Sequence, residues 1–261
     1  MAQLKTPSVP ALERALSILE LLARSSNGLS LPELARRLKL PKSSVHCLLL
    51  TLERRKYLQR NDNTHRYLFG NRLFGLANMA LSGTGLRERA APFLRALMER
   101  TGLTVHAAIL ERNEAVLVAK AEPAGIFRLA TWIGKRMDAH CTGVGKALIA
   151  YLPDSELSLL IAERGLPRHN DNTISSVRKL KEELARVRKL GYSTEDEEDE
   201  VGLRCIGAPV FDRAGSLAAA ISVAGTTSQI SVENMGALAR QLKQAADAIS
   251  SALGFQPKTV R

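Results

Sequence analysis

The chain has 261 residues, of which 45% are hydrophobic, enough for two domains that each bury a core. No apolar stretch nears the 18 residues of a membrane span, and the N-terminus MAQLKTPSVP lacks the apolar centre of a secretion signal. The cysteines Cys47, Cys141 and Cys205 are odd in number and far apart, which fits a reducing cytoplasm better than a disulfide framework. The formal net charge is +11; residues 1–83 hold 13 Lys+Arg against 5 Asp+Glu, a net of +8, and residues 84–261 carry only +3. The positive excess expected of a protein with a phosphate-bearing partner therefore lies in the first third.

In chain order, Leu12, Ala15, Leu16, Leu19 and Leu22 recur at helical spacing and predict a first helix with those residues as its buried face. Ser30 and Glu33 form an S-x-x-E capping box ahead of Leu31, Leu34, Ala35 and Leu38, a second helix. The pattern breaks at Lys39-Leu40-Pro41, and Pro suits the opening of a third helix whose apolar stripe is Val45, Leu48, Leu49 and Leu52. Tyr57–Arg60 and Arg66–Phe69 read as short strands around the turn Asn61-Asp62-Asn63. This is a winged helix-turn-helix, which lays the later helix of the motif, here the third helix, in the DNA major groove. Lys42, Ser43, Ser44 and His46 fall on the first turns of that helix, off the apolar stripe, while Arg60, His65 and Arg66 belong to the wing. Lys42 and Arg66 suit phosphates; Ser43, Ser44 and His46 suit base edges.

Asn71–Leu81 predicts a connecting helix, and Gly83-Thr84-Gly85 a hinge. Beyond it, Ala90, Phe93, Leu94, Leu97 and Met98 predict a helix ending at Gly102. Strands are expected at Val105–Leu110, Ala115–Ala121 and 126–133, and helices at Gly143–Ala150, Asp154–Glu163 and Val177–Leu190. A hairpin Cys205–Phe211/Leu217–Val223 follows, and a long final helix Ser231–Leu253 faces inward with Met235, Leu238, Leu242, Ala245, Ile249 and Leu253. Antiparallel hairpins with packed helices indicate an α+β sensor domain. The acidic run Glu195–Glu200 reads as a solvated loop with only Glu195 turned inward.

The segments ALERALSILELL, LSLPELARRLKLPKSSVHCLLLTLE, RYLFG, AHCTGVGKALIAYL, GYSTEDEEDEVGLRCIGAPVFD and AAAISVAG together resemble the IclR family of bacterial transcription regulators over nearly the full length. The resemblance implies an N-terminal winged helix-turn-helix over 1–70, a linker helix over 71–83 and a C-terminal GAF-like α/β effector domain over 84–261. It further implies homodimers or homotetramers on double-stranded operator DNA and no catalysis. No cofactor is expected.

Thr142 is placed to cap the helix that starts at Gly143, leaving the N–H groups of Gly143, Val144 and Gly145 to face a ligand, and a small carboxylate is the natural guest. The resemblance assigns Gly143 and Val144 as backbone donors of an effector pocket, Ile126, Leu129, Met137 and Leu203 as its apolar wall, and Glu195, Cys205 and Ser222 as its polar positions. The chain departs from the family pattern where Glu195 stands for a common Asp, Ala224 for a Ser, and Cys47 for a frequent Arg of the DNA helix.

His140-Cys141 are neighbours whose side chains point apart on an extended chain, a poor thiol dyad. Cys141, Cys205, His140 and Glu195 carry zinc-type donors, but their spacing is no zinc motif, so no metal site is assigned. The function expected is a cytoplasmic regulator that senses a small organic acid and alters operator binding. The alternatives are a small-molecule enzyme with a DNA-binding appendage, which needs a nucleophile–base pair, and a constitutive architectural DNA-binding protein.

Overall fold

The computed structural model describes residues 8–25, 27–82, 85–125 and 128–256, and for residues 77–82 the backbone alone. The chain divides into two compact units, Met1–Gly83 and Thr84–Arg261.

The first unit runs α1 (Pro10–Ala23), β1 (Leu29–Ser30), α2 (Leu31–Leu38), α3 (Lys42–Arg54), β2 (Leu58–Arg60), β3 (Arg66–Phe69) and α4 (Asn71–Ser82). The capping box holds: Ser30 donates both its N–H and its hydroxyl to Glu33 Oε2, each at 2.8 Å. Lys39 ends α2 in the left-handed region at φ 54°, and Pro41, extended, precedes the first turn of α3. The wing strand β3 is central, pairing antiparallel with β1 and β2. At the wing tip Asn61 Oδ1 accepts from the N–H groups of Asn63 and Thr64, which closes the turn. Ile18, Leu22, Leu34, Val45, Leu49, Leu58 and Tyr67 form the core.

The buried face of α1 differs from the sequence expectation. Ile18 and Leu22 are buried, while Leu12 and Leu16 are 58% and 46% exposed. Among the described residues, the small domain supplies neighbours for only the C-terminal half of α1, so its first turns project their leucines outward.

The second unit runs α5 (Leu86–Thr101), β4 (Thr104–Glu111), β5 (Glu114–Ala121), β6 (Arg136–Asp138), α6 (Gly143–Ile149), α7 (Asp154–Arg164), α8 (Val177–Leu190), β7 (Ser193–Asp196), β8 (Leu203–Phe211), β9 (Leu217–Thr226) and α9 (Val232–Ala252). The sheet order is β6-β5-β4-β9-β8-β7, with every neighbouring pair antiparallel. Arg112 and Asn113 both take positive φ (49° and 65°), the two-residue turn whose twist matches a hairpin. Period-2 alternation divides the sheet. Ala108, Leu117 and Ala220 meet Val144, Ala147 and Leu148 of α6. Val105 of β4, Ile206 of β8, and Ile221 and Val223 of β9 have the opposite parity and are buried on the other face, where α5 and α9 pack.

Two close approaches seat α6. A Cβ on Gly207 would meet the Gly143 carbonyl oxygen at 2.2 Å, and one on Gly145 would meet the Ala139 backbone at 2.5 Å. Ser193 Oγ donates to the Gly143 carbonyl at 2.6 Å, tying β7 to the start of the helix.

Three sequence expectations for this unit change. Residues 128–133 are not a strand, and 126–127 lie outside the described residues. The ladder position is taken by β6, and the carbonyls of Leu129, Ala130 and Thr131 accept instead from Lys120 and Lys135 Nζ. Ser193–Asp196, including the first acidic residues, is an edge strand rather than a loop. Lastly, Glu198 is buried along with Glu195, because its N–H bonds Glu195 Oε1 and its carboxylate meets the buried Lys146 ammonium.

Candidate functional site

The first unit presents α3 and the wing together. Lys42, Ser43 and His46 are exposed and Ser44 is half-buried, as the α3 stripe buries Val45 and Leu49. A groove lined by Ser30, Leu31, Pro32, His46, Arg60, His65 and Tyr67 lies between the helix and the wing. It brings His46 of the helix beside Arg60, whose guanidinium carbon stands 6.0 Å from the Tyr67 ring centroid. His65 joins them from the wing turn, at φ 54°.

Arg66 points elsewhere. Its Nη2 bonds Glu33 Oε1 at 3.0 Å and its Nε donates to the Gly28 carbonyl at 3.2 Å, so much of its guanidinium is committed to joining the wing to α2. Glu33, held by the backbone and hydroxyl of Ser30 and by Arg66, has its pKa lowered to about 2. Arg66 thus braces the wing to α2 while its side chain stays about a third exposed, and Arg60 is an exposed cation of the same wing. Sequence alone could not see this, because the partner Glu33 is remote in the chain.

In the second unit, α6 and the sheet face beneath it enclose a cavity of about 60 Å³. Leu129, Met137, Gly143, Val144, Glu195, Leu203, Cys205 and Ser222 all line it. Ile126 lies outside the described residues. The sheet register explains the grouping: Ser222 pairs with His106 on one side and Gly207 on the other, and Cys205 pairs with Glu195 and Ala224. These positions share one face by alternation. The same alternation could have identified His106, which the sequence reading missed. Thr131, Lys135, Asp199 and Glu200 also line the cavity, and they sit on irregular segments that carry no periodic signal.

Thr142 caps α6 as expected, but its Oγ1 takes the N–H of Gly145 at 3.2 Å. Gly145 is therefore not a free donor. Among the described residues nothing accepts from the N–H groups of Gly143 and Val144.

Burial raises the Glu195 carboxyl to a pKa of about 7, against the pull of hydrogen bonds from the Cys205 thiol and the N–H groups of Glu198 and Asp199. Burial and the cations Lys120 and Lys135 lower His106 to about 3, so its ring is neutral and bonded through Nε2 to Thr131 Oγ1 at 2.9 Å. Lys135 Nζ binds the Ala130 carbonyl and stands 5.3 Å from the centroid of Trp132, which is exposed.

Behind the cavity, Lys146 of α6 is fully buried, with Nζ 2.5 Å from Glu198 Oε1 and 3.5 Å from Glu183 Oε1. This ion pair clamps the turn after β7 to the helix whose first turn lines the cavity.

No nucleophile is activated among the acidic neighbours. Burial, with the carboxylates of Asp199 and Asp138, pushes the Cys141 thiol far up, and His140 Nε2 is bonded to the Pro167 carbonyl rather than to the thiol.

Comparison with known proteins assigns this pair of units. The IclR helix-turn-helix domain model matches residues 11–62, and the model for the bacterial transcriptional regulator IclR C-terminal region matches residues 78–251. The chain belongs to the IclR family of bacterial transcription regulators. The HTH-type transcriptional regulator BhcR of Paracoccus denitrificans is 38% identical over 96% of this chain and 88% of its own length. The transcriptional repressor IclR of Escherichia coli is 33% identical over 95% of this chain and 92% of its own. The crystal structure of the Thermotoga maritima IclR matches with a TM-score of 0.82 at 30% identity, over 94% of this chain and 98% of that one. As an IclR-family member the chain is a DNA-binding transcription regulator with an effector-binding C-terminal domain, not an enzyme. No helix among the described residues is long and apolar enough to cross a membrane.

Proposed function

We propose that this IclR-family regulator senses a small organic acid in the cavity beneath α6 and alters its hold on operator DNA in response. The winged helix-turn-helix is assigned to 1–70, the linker helix to 71–83 and the effector domain to 84–261, acting as a homodimer or homotetramer in the cytoplasm. Lys42 and Arg66 take phosphates, Ser43, Ser44 and His46 lie near base edges, and Arg60 serves the wing side of the groove. In the cavity Leu129, Met137 and Leu203 give apolar contact, with Ile126 assigned by family resemblance alone. Gly143, Val144, Ser222, Cys205 and Glu195 give the polar contacts.

The observation that carries the organic-acid reading is the pair of N–H groups on Gly143 and Val144 at the cavity wall, with the Ser222 hydroxyl on the sheet beneath. Aligned N–H groups favour a negative guest. The small volume suits a carboxylate with a short apolar or hydroxylated body. The mechanism is a population shift: the acid binds one arrangement of the assembly better and so favours it, which changes how two DNA-binding heads are presented.

A thermal-shift screen of full-length protein against small carboxylates, aromatic acids and sugar acids tests this. A true effector at 100 times its Kd adds about 2.7 kcal/mol to stability. Ser222→Ala should then cost about 0.5–1.5 kcal/mol of binding by calorimetry, the range for one neutral hydrogen bond, and leave effector-free DNA affinity unchanged. A screen in which neutral analogues bind as well as the acids, or a Ser222→Ala protein that binds the hit undiminished, sinks the assignment. An unresponsive protein that binds DNA normally points to a constitutive architectural role.

A further inference from the structure

Beside the cavity, three segments remote in sequence place metal-type donors together. Cys141 Sγ, a ring nitrogen of His169 and a carboxylate oxygen of Asp199 all lie within 4.8 Å of one another. Cys141 belongs to the turn before α6, His169 to the loop between α7 and α8, and Asp199 to the turn between β7 and β8. We propose that Cys141, His169 and Asp199 form a binding site for a divalent d-block cation of the zinc type.

The site is built before any cation arrives. Asn170 Nδ2 donates to the carbonyls of Glu197 and Glu198, and Thr173 Oγ1 donates to the Glu198 carbonyl at 2.7 Å, which pins the His169 loop to the Asp199 turn. Thr173 Oγ1 also accepts from the N–H of His169. Asp138 Oδ2 stands 3.0 Å from His169 Nε2 and orients the ring, the usual carboxylate support of a ligating histidine. Among the described residues the Cys141 thiol has only long polar contacts, 3.8 Å to the Asp138 carbonyl and 3.9 Å to Asp199 Oδ1.

Electrostatics and donor type agree. Asp138, Glu195, Glu198 and Asp199 crowd negative charge around this point. Lys146 is engaged by Glu198 and Glu183, and Arg164 by Glu114, standing 3.7 Å from Asp138. A sulfur–nitrogen–oxygen set suits zinc or cobalt, whereas calcium and magnesium take oxygen donors. Three protein ligands leave a fourth position for water or a ligand atom. On binding, the thiol proton passes to solvent and the thiolate bonds the cation. Asp199 also lines the cavity, so the cation would set positive charge beside a wall that otherwise carries Glu195, Asp199 and Glu200. The site stands whether or not the cavity takes an organic acid.

The test uses full-length protein stripped with chelator and titrated with Co²⁺ alone. One equivalent per chain should bind and give thiolate-to-cobalt charge-transfer absorption in the near ultraviolet, which Zn²⁺ displaces. Cys141→Ser should abolish that absorption, while Cys47→Ser and Cys205→Ser keep it. His169→Ala, at an exposed position, and Asp199→Asn, at a half-buried one, should each weaken binding at least tenfold, which keeps the test independent of how Cys141→Ser folds. Absence of the absorption at millimolar Co²⁺ overturns the site. So does an undiminished signal in Cys141→Ser, or unchanged affinity in both His169→Ala and Asp199→Asn.

Discussion

Glu195 shows how one buried group shapes both stability and binding. Its pKa of about 7 against an ordinary 4.5 means the folded chain keeps a proton that the unfolded chain has already lost between those values. Stability therefore falls as pH rises from about 4.5 to about 7, by up to about 3 kcal/mol at 1.36 kcal/mol per unit. Glu195→Gln should remove that part of the slope, so urea denaturation at pH 5 and pH 8 should separate the two proteins only at the higher pH, with the variant more stable. If both lose the same stability, Glu195 does not carry this titration. Lys42 makes the complementary case at the DNA face, where it is exposed and outside the groove lining. Lys42→Ala should weaken binding to every DNA sequence and reduce the log–log salt slope by about one unit. Mobility-shift assays over a salt series check this; an unaltered slope removes Lys42 from the phosphate contacts.

At the scale of elements, the cavity depends on how closely α6 lies on the sheet. Gly207 makes room for the Gly143 carbonyl, and Ser193 then bonds that carbonyl. Gly207→Ala adds a Cβ where only 2.2 Å is open to backbone oxygen, so helix and strand must part. The expected cost is about 1–3 kcal/mol, the range for overpacking, together with loss of effector binding. Thermal denaturation and calorimetry measure the two effects. Retained binding in Gly207→Ala would mean that the cavity does not rely on this approach. The Lys146–Glu198 pair works at the same scale, since it fixes the turn after β7, from which Asp199 reaches the cavity beside Glu195 of the strand.

For the whole molecule, the outward leucines of α1 bear on assembly. Leu12 and Leu16, with Phe74 and Leu76 of α4, leave apolar side chains of the first unit in solvent. Paired half-sites on DNA need two-fold related heads. Light scattering should therefore report at least twice the chain mass of 28.4 kDa at micromolar concentration, and Leu12→Glu with Leu16→Glu should lower it or weaken DNA binding steeply. A single-chain mass for the natural sequence rules out this arrangement.

Local rules carried the elements of both units. Capping at Ser30 and Ser231, helix closure at Gly102 and Gly191, the hairpin turn at Arg112-Asn113 and the basic reading helix all follow from residues close in the chain. Family resemblance pointed to eight of the sixteen residues that line the cavity. What sequence left undecided depends on partners far apart. Arg66 finds Glu33 across the small domain, Ser193–Asp196 is a strand because β8 lies beside it, and the leucines at the start of α1 stay exposed because nothing among the described residues covers them. Cys141, His169 and Asp199 converge from three loops, and no spacing along the chain encodes that meeting. Periodicity reports which face of an element is apolar; only the folded packing decides what that face, or a charge beside it, comes to touch.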